Sequence, residues 1–218
     1  MLSITEENYL KALLHITTEK DGQQEAGTNL IAAQLQVRPA TATDMLKKLK
    51  EKELVEYERY GKVTLTEKGR KLATEVVRKH RLWETFLYDK LGFSWDEVHE
   101  VAEQLEHVKS DKLIERLDKF LGYPSFDPHG DIIPKVNGQI VPSGRKSLSQ
   151  AAVANTYKVK GVQDNSPTFL QYVAKLGIGI NTSIKLLERF DFDGSVAIEV
   201  EGVRTSLSQK VADNIYII

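Results

Sequence analysis

A mainly α chain with a small β component is the fold class that the 218-residue sequence predicts. Three observations lead there. Apolar residues recur at helical spacing from Tyr9 to Leu121. Four of the six prolines, Pro124, Pro128, Pro134 and Pro142, crowd into one stretch, which marks a boundary. Beyond it, short alternating segments punctuated by Gly, Asn and Asp read as strands.

Residues 5–20 read as a helix, with Thr5 as cap, Glu6 and Glu7 at its positive end, and Tyr9, Leu10, Leu13, Leu14 and Ile16 as its apolar stripe. After the loop KDGQQEAG, TNLIAAQLQ forms a short helix. Pro39 suits the first turn of the next helix, ATATDMLKKLKEKE. Its apolar side carries Met45, Leu46 and Leu49, and its other side offers Thr41, Thr43, Lys47 and Lys48. This pair is a helix-turn-helix pattern. LVEYERYGKVTLTEKG then alternates about a turn at RYGK, which predicts a hairpin. Together these pieces predict a winged helix-turn-helix.

A long helix follows and ends at Gly92. SWDEVHEVAEQLEHV predicts another, with Ser94 and Glu97 as a capping box. SDKLIERLDKFLG predicts a third, opened by Ser110 and stopped by Gly122. Its Leu113, Ile114, Leu117, Phe120 and Leu121 exceed what one short helix buries, so a dimer surface is expected. In the last third, NTYKVKGV, SIKLLERF, SVAIEVEG and NIYII predict strands, FDGS a hairpin turn and SPTFLQYVAKLG one helix. A small β-barrel follows from these. The expected organisation is 1–72 for the winged helix, 73–140 for the helical region, 141–151 for a linker and 152–218 for the barrel.

Composition narrows the function. The chain is 41% apolar, enough for real cores. It has no apolar run of ~18 residues and no signal-like N-terminus, so no membrane role and a cytoplasmic location are expected. Cysteine is absent, which excludes disulfides, thiolate nucleophiles and Cys-ligated zinc or iron–sulfur centres. Nucleotide-binding glycine motifs and the G-x-S-x-G elbow are also missing. Nothing here predicts an enzyme. The charge is uneven: Arg38 to Lys71 holds ten Lys or Arg against six Asp or Glu, and Asp96 to Asp131 holds four against ten. Surface scatter produces such patterns; so does a chain that meets an anion with one part and a cation with another.

The two helices after the winged helix carry the chemistry. His80 and Glu84 are four apart, as are His99 and Glu103, with Glu106 and His107 just beyond. Glu103, Glu106 and His107 can grip one divalent ion; His80, Glu84 and His99 can grip a second. Imidazole and carboxylate suit first-row divalent metals. HEVAE at 99–103 lacks the second His of a zinc protease. His129, among prolines, reads as a loop residue that bonds backbone. A helical metal-storage or redox protein without DNA binding is the alternative reading.

Nearly the whole chain resembles the diphtheria-toxin-repressor family of metal-dependent transcriptional regulators, close to its manganese-responsive branch. TEENYLKAL resembles the family's first helix, RPATATDMLKKLKEKELV its recognition helix, and RKHRLWETFL with VHEVAEQLEHVKSD its metal-binding helices. The C-terminal part resembles its SH3-like domain. The resemblance implies a homodimer that binds palindromic operator DNA when loaded with Mn²⁺ or Fe²⁺, with two metal sites per subunit. It implies ligands at Glu103, Glu106, His107 and Asn8, and an ancillary site at His80, Glu84 and His99. Asn8 replaces the Met or Asp of other members. Asp164 is implied as a further ligand from the barrel. Arg38, Pro39, Thr41, Thr43 and Lys47 are the expected DNA contacts.

Overall fold

A computed structural model of the chain describes residues 2–19, 25–58, 62–140 and 146–218. The predicted RYGK turn and most of the KDGQQEAG loop lie outside the described residues, as do 141–145 of the predicted linker. The chain divides into two compact units. The first comprises 1–80, 106–109 and 134–139; the second comprises 81–105, 110–133 and 140–218.

The first unit is the predicted winged helix. Helix α1 spans Ile4–Glu19, strand β1 Ala26–Gly27, α2 Thr28–Gln34 and α3 Pro39–Glu51. Strands β2 (Val55–Tyr57) and β3 (Lys62–Leu65) pair antiparallel, and β1 adds to the other edge of β3. Leu10, Leu13, Ile31, Leu46 and Leu49 are fully buried in one core. Each such side chain contributes about 1.5–3 kcal/mol of burial free energy. The cap of α1 is Ser3 rather than the expected Thr5. The Ser3 hydroxyl accepts from Glu6 N and the Glu6 carboxylate accepts from Ser3 N, a reciprocal box that a Thr5 cap could not form with Glu6.

Helix α4, Glu67–Leu91, begins in the first unit and continues into the second. Gly92 ends it at φ +73°, a left-handed conformation that costs glycine nothing. In the second unit, α5 spans Val98–Leu105, shorter than expected because residues 95–97 form a turn. Only half of the expected Ser94–Glu97 box forms: Glu97 accepts from Ser94 N at 2.8 Å, but the Ser94 hydroxyl donates to that carboxylate instead of accepting from Glu97 N. Helix α6, Asp111–Phe120, has Ser110 as its cap. Leu82, Trp83, Leu87, Val98, Ala102, Ile114 and Leu117 form the helical core.

The remainder of the second unit is antiparallel sheet. Strands β4 (Lys146–Ser147), β5 (Thr156–Val162), β6 (Ser183–Arg189), β7 (Val196–Val200), β8 (Val203–Leu207) and β9 (Ile215–Ile217) are ordered β4-β9-β5-β6-β7-β8. Helix α7, Pro167–Lys175, joins β5 to β6. The sheet is SH3-like but is not a closed barrel. Strand β8 and the five-residue helix α8 (Gln209–Asp213) are additional to the expected elements. Strand β8 buries only Leu207, so it carries little of the alternation that marks a strand.

Candidate metal centre

In the first unit, α1 places Glu7, Asn8 and Lys11 on one face, since these positions are three and four residues apart. Residues 106–109 meet that face. His107 Nδ1 lies 2.7 Å from Glu7 Oε2. Lys11 Nζ lies 2.6 Å from Glu106 Oε2, and His80 Nδ1 lies 2.6 Å from the same oxygen. Glu106 is 0% exposed, and Glu7 and His80 are also buried. A proton on His80 Nδ1 satisfies the short contact to Glu106 and leaves the lone pair on Nε2. That is the tautomer a metal-ligating histidine adopts when a carboxylate orients it.

The donor set fits a divalent ion. Among the described residues, Asn8 Oδ1 and Glu106 Oε1 are buried acceptors with no hydrogen-bond partner. Each such oxygen costs about 1–3 kcal/mol, a cost that coordination of a cation would relieve. Carboxylate, amide oxygen and imidazole are ligands that Mn²⁺ and Fe²⁺ accept.

The second unit holds a separate cluster. Ligand atoms of Glu84, Asp127 and His129 lie within 4.8 Å of one another, and all three residues are buried. His99 Nδ1 is 3.1 Å from Glu84 Oε1, and His99 Nε2 is 3.6 Å from Glu103 Oε1. The loop carrying Asp127 and His129 is held from several sides. Asp127 Oδ1 accepts from the N–H groups of His129 and Asp131. His129 Nε2 donates to Trp95 O at 2.9 Å, and its ring stacks on Trp95. Its carbonyl accepts from Val162 N at 2.7 Å. Burial pushes the Asp127 carboxyl up to about 8, helped by the charges of Asp131 and Glu84, while Arg81 and His129 oppose the shift. Burial alone would lower the His129 imidazole, but Glu84 and Asp127 outweigh it and raise it to about 9. The Asp127 shift reports chiefly its burial, and the His129 shift reports the two carboxylates that face it.

The expected ligands therefore divide between the units. Asn8, His80, Glu106 and His107 belong to the first; Glu84, His99 and Glu103 belong to the second. Asp164 is half-buried, and its Oδ1 accepts from Ser166 N just before α7. Arg38, Pro39, Thr41 and Lys47 are exposed around the start of α3, and Thr43 is half-buried there. The Thr43 hydroxyl donates to Pro39 O, so it keeps only acceptor capacity toward a ligand. Sequence reasoning missed Glu7, Lys11 and Asp127 and assigned His129 to backbone bonding alone. His129 does bond backbone, and it also faces Glu84 at 3.6 Å. Glu7 carried a readable signal, its i, i+4 spacing to Lys11, but was taken only as a dipole partner.

Comparison with known proteins identifies the family. Residues 1–63 match the model "iron dependent repressor, N-terminal DNA binding domain", and 66–135 match "iron dependent repressor, metal binding and dimerisation domain". Residues 146–218 match the FeoA domain. The iron-dependent repressor IdeR of Mycobacterium leprae is 30% identical over 208 residues, covering 94% of this chain and 86% of that protein. The chain belongs to the diphtheria-toxin-repressor family. A solved manganese-dependent transcriptional repressor in complex with manganese aligns at TM-score 0.79 and 36% identity, covering 98% of this chain and 99% of that one. A probable metal transport system membrane protein of Chlamydia trachomatis is 47% identical over 72 residues, but the match spans only 16% of its length. Among the described residues, no helix of this family member is long and apolar enough to cross a membrane. The family is one of transcriptional repressors, which are not enzymes.

Proposed function

We propose that this protein is a metal-dependent transcriptional repressor that binds palindromic operator DNA as a homodimer when loaded with Mn²⁺ or Fe²⁺. The observation that carries the proposal is the cluster of Glu7, Asn8, Glu106 and His107 in the same unit as the winged helix. Glu7 and Asn8 come from α1 of the DNA-binding domain, and Glu106 and His107 come from the region after α5. When bound, the ion supplies a double positive charge that neutralises Glu7 and Glu106 together. The protein's own groups do the rest. His80 holds Glu106 in place, and Lys52 at the end of α3 bonds Glu6 at 2.6 Å, so the recognition helix is tied to the ligand-bearing helix. Metal and DNA that favour one conformer must strengthen each other's binding equally.

Glu84, Asp127 and His129 are the proposed second site, with His99 and Glu103 beside it. Arg38, Pro39, Thr41, Thr43 and Lys47 are proposed to face DNA, the cations making salt-sensitive phosphate contacts. Leu91, Leu113 and Phe120 are exposed large apolar side chains, which supports a dimer surface on α4 and α6. Proposed domain limits are 1–72, 73–140 and 152–218 with a linker at 141–151, and the proposed location is the cytoplasm. Likeness to a manganese-dependent repressor favours Mn²⁺.

The test is an anisotropy titration of metal-stripped protein on the upstream region of a metal-uptake gene, with Mn²⁺, Fe²⁺ and Zn²⁺ in turn. Binding that appears with metal and vanishes with chelator is expected. Equal affinity in both conditions would overturn the proposal.

A further inference from the structure

The α1 face that carries Glu7 and Asn8 also carries a cation. Lys11 Nζ sits 2.6 Å from Glu106 Oε2 and 3.2 Å from His80 Nδ1. Its side chain is 17% exposed, against 0% for the Glu106 it contacts. On the other side of the cluster, Lys109 Nζ lies 3.7 Å from Glu7 Oε1, and it also donates to Leu2 O. The two carboxylates thus each have an ammonium. Two carboxylates facing two ammonium groups are opposite charges already in balance before any metal enters.

A divalent ion entering among Glu7, Asn8, Glu106 and His107 changes that balance by two positive charges. The ammonium nearest the ion then sits beside a like charge in a mostly buried place, where repulsion is only weakly screened. Lysine suits the role of a yielding partner. Its charge is a compact point on a flexible stem, and its partial exposure lets the ammonium turn to water while the stem stays packed. Arginine's planar fork would hold a carboxylate at two points and release it less readily.

We propose that Lys11 is the resident cation of the metal-free state, competing with the divalent ion for Glu106 and so setting the metal concentration at which the site fills. This rests on the reading of Glu106 as a metal ligand. Lys11 has two opposed effects. It stabilises the empty protein by partnering a buried carboxylate, and it weakens metal binding by the repulsion and displacement it imposes. A residue with a purely structural role would show only the first effect.

The test uses the full-length, metal-stripped protein and two measurements: Mn²⁺ affinity by competition with a chromophoric chelator, and the melting temperature without metal. Lys11→Met removes the charge at nearly constant length. Lys11→Gln keeps a donor for Glu106 and is the milder variant should the first fail to fold. Lys112→Met, at an exposed position on α6, controls for net charge. A neighbouring cation lowers a carboxylate's affinity for a proton by about one to three powers of ten, and its effect on a metal cation at the same oxygens is expected to be of that order. Lys11→Met and Lys11→Gln are therefore expected to bind Mn²⁺ at least about tenfold more tightly than the parent while melting lower without metal. Lys112→Met is expected to match the parent in both. Unchanged or weaker Mn²⁺ binding by both Lys11 variants overturns the proposal. Glu106→Gln separates the two readings. If it binds Mn²⁺ like the parent, Glu106 is not a ligand and the site reading itself fails. If it loses Mn²⁺ while the Lys11 variants gain nothing, the site stands and only the competition is refuted.

Discussion

Glu106→Gln is the substitution whose consequences the structure defines most closely. The side chain keeps its size and one oxygen but loses its charge. In the parent, that charge accepts from the Lys11 ammonium and from His80 Nδ1, both at 2.6 Å, on a residue with no exposure to water. Hydrogen bonds to a charged group contribute about 1.5–3 kcal/mol, against about 1 for neutral pairs. Two of them weakened, with a partly buried ammonium left without its counter-charge, should cost about 2–4 kcal/mol. For a chain of this size, that lowers the melting temperature of the metal-stripped protein by about 4–16 °C. The second consequence concerns the metal. A ligand that binds only the folded state stabilises it by about 2.7 kcal/mol at a hundred times its Kd, and this increment should disappear with the carboxylate. Thermal melting of parent and variant, with and without Mn²⁺, reads both effects. A variant that melts with the parent in the absence of metal would refute the reasoning about the buried ion pair. One that retains the full Mn²⁺-dependent rise would refute the assignment of Glu106 as a ligand.

Three further outcomes are expected. His80→Ala should impair metal-dependent DNA binding nearly as much as His107→Ala, because His80 Nδ1 orients Glu106; anisotropy titrations showing His80→Ala close to the parent would refute this. Gly161→Ala should cost about 1–3 kcal/mol and loosen the second site, because its new Cβ would press on His129 O and Gly130 Cα; a melting curve and Mn²⁺ stoichiometry like the parent's would count against it. Metal-stripped protein should lose stability with rising pH. Asp127 is raised from 3.8 to about 8 and His129 from 6.5 to about 9, so each contributes stability that is present below its unfolded pKa and lost as pH rises through its folded one. Melting from about pH 6 to about pH 9 should therefore show a decline that Asp127→Asn reduces; an unchanged slope in the variant would refute it.

Much of the fold was legible because its signals are local. Pro39 at the start of α3, Gly92 after α4 and Ser110 before α6 each act within one turn of the chain, and each stands where its chemistry predicts. The less legible parts depend on partners far along the chain. Strand β8 exposes most of its side chains and exists because β7 offers it a full antiparallel ladder from Val196↔Leu207 to Val200↔Val203. Closure of a sheet likewise depends on which strands pair across the fold, and β4 pairs with β9.

The site shows the same division more sharply. Helical spacing proposes residues on α4 and α5 as candidates, because i, i+4 neighbours share a face whatever the tertiary structure. Spacing cannot say which carboxylate a histidine will meet across the fold. Spacing points His80 to Glu84 four residues ahead and is silent on Glu106, 26 positions away, which its Nδ1 meets at 2.6 Å. Glu7 looked like an acid placed for a helix dipole, yet it receives His107 from a hundred positions on. Asp127 and His129 sat in a proline-rich stretch that read as a boundary, and they are buried where the loop is held by Trp95 and β5. What the sequence conceals here is charge balance. A list of possible ligands contains anions and imidazoles and no lysines, so it cannot show that Lys11 and Arg81 stand inside the clusters, each against a carboxylate. Yet those cations decide how strongly an empty site resists a metal. A sensor must bind its ion within a bounded range of concentration, and that range depends on the free energy of the empty state as much as on the ligands of the filled one. Glu106 without Lys11 would be a stronger ligand in a less stable protein.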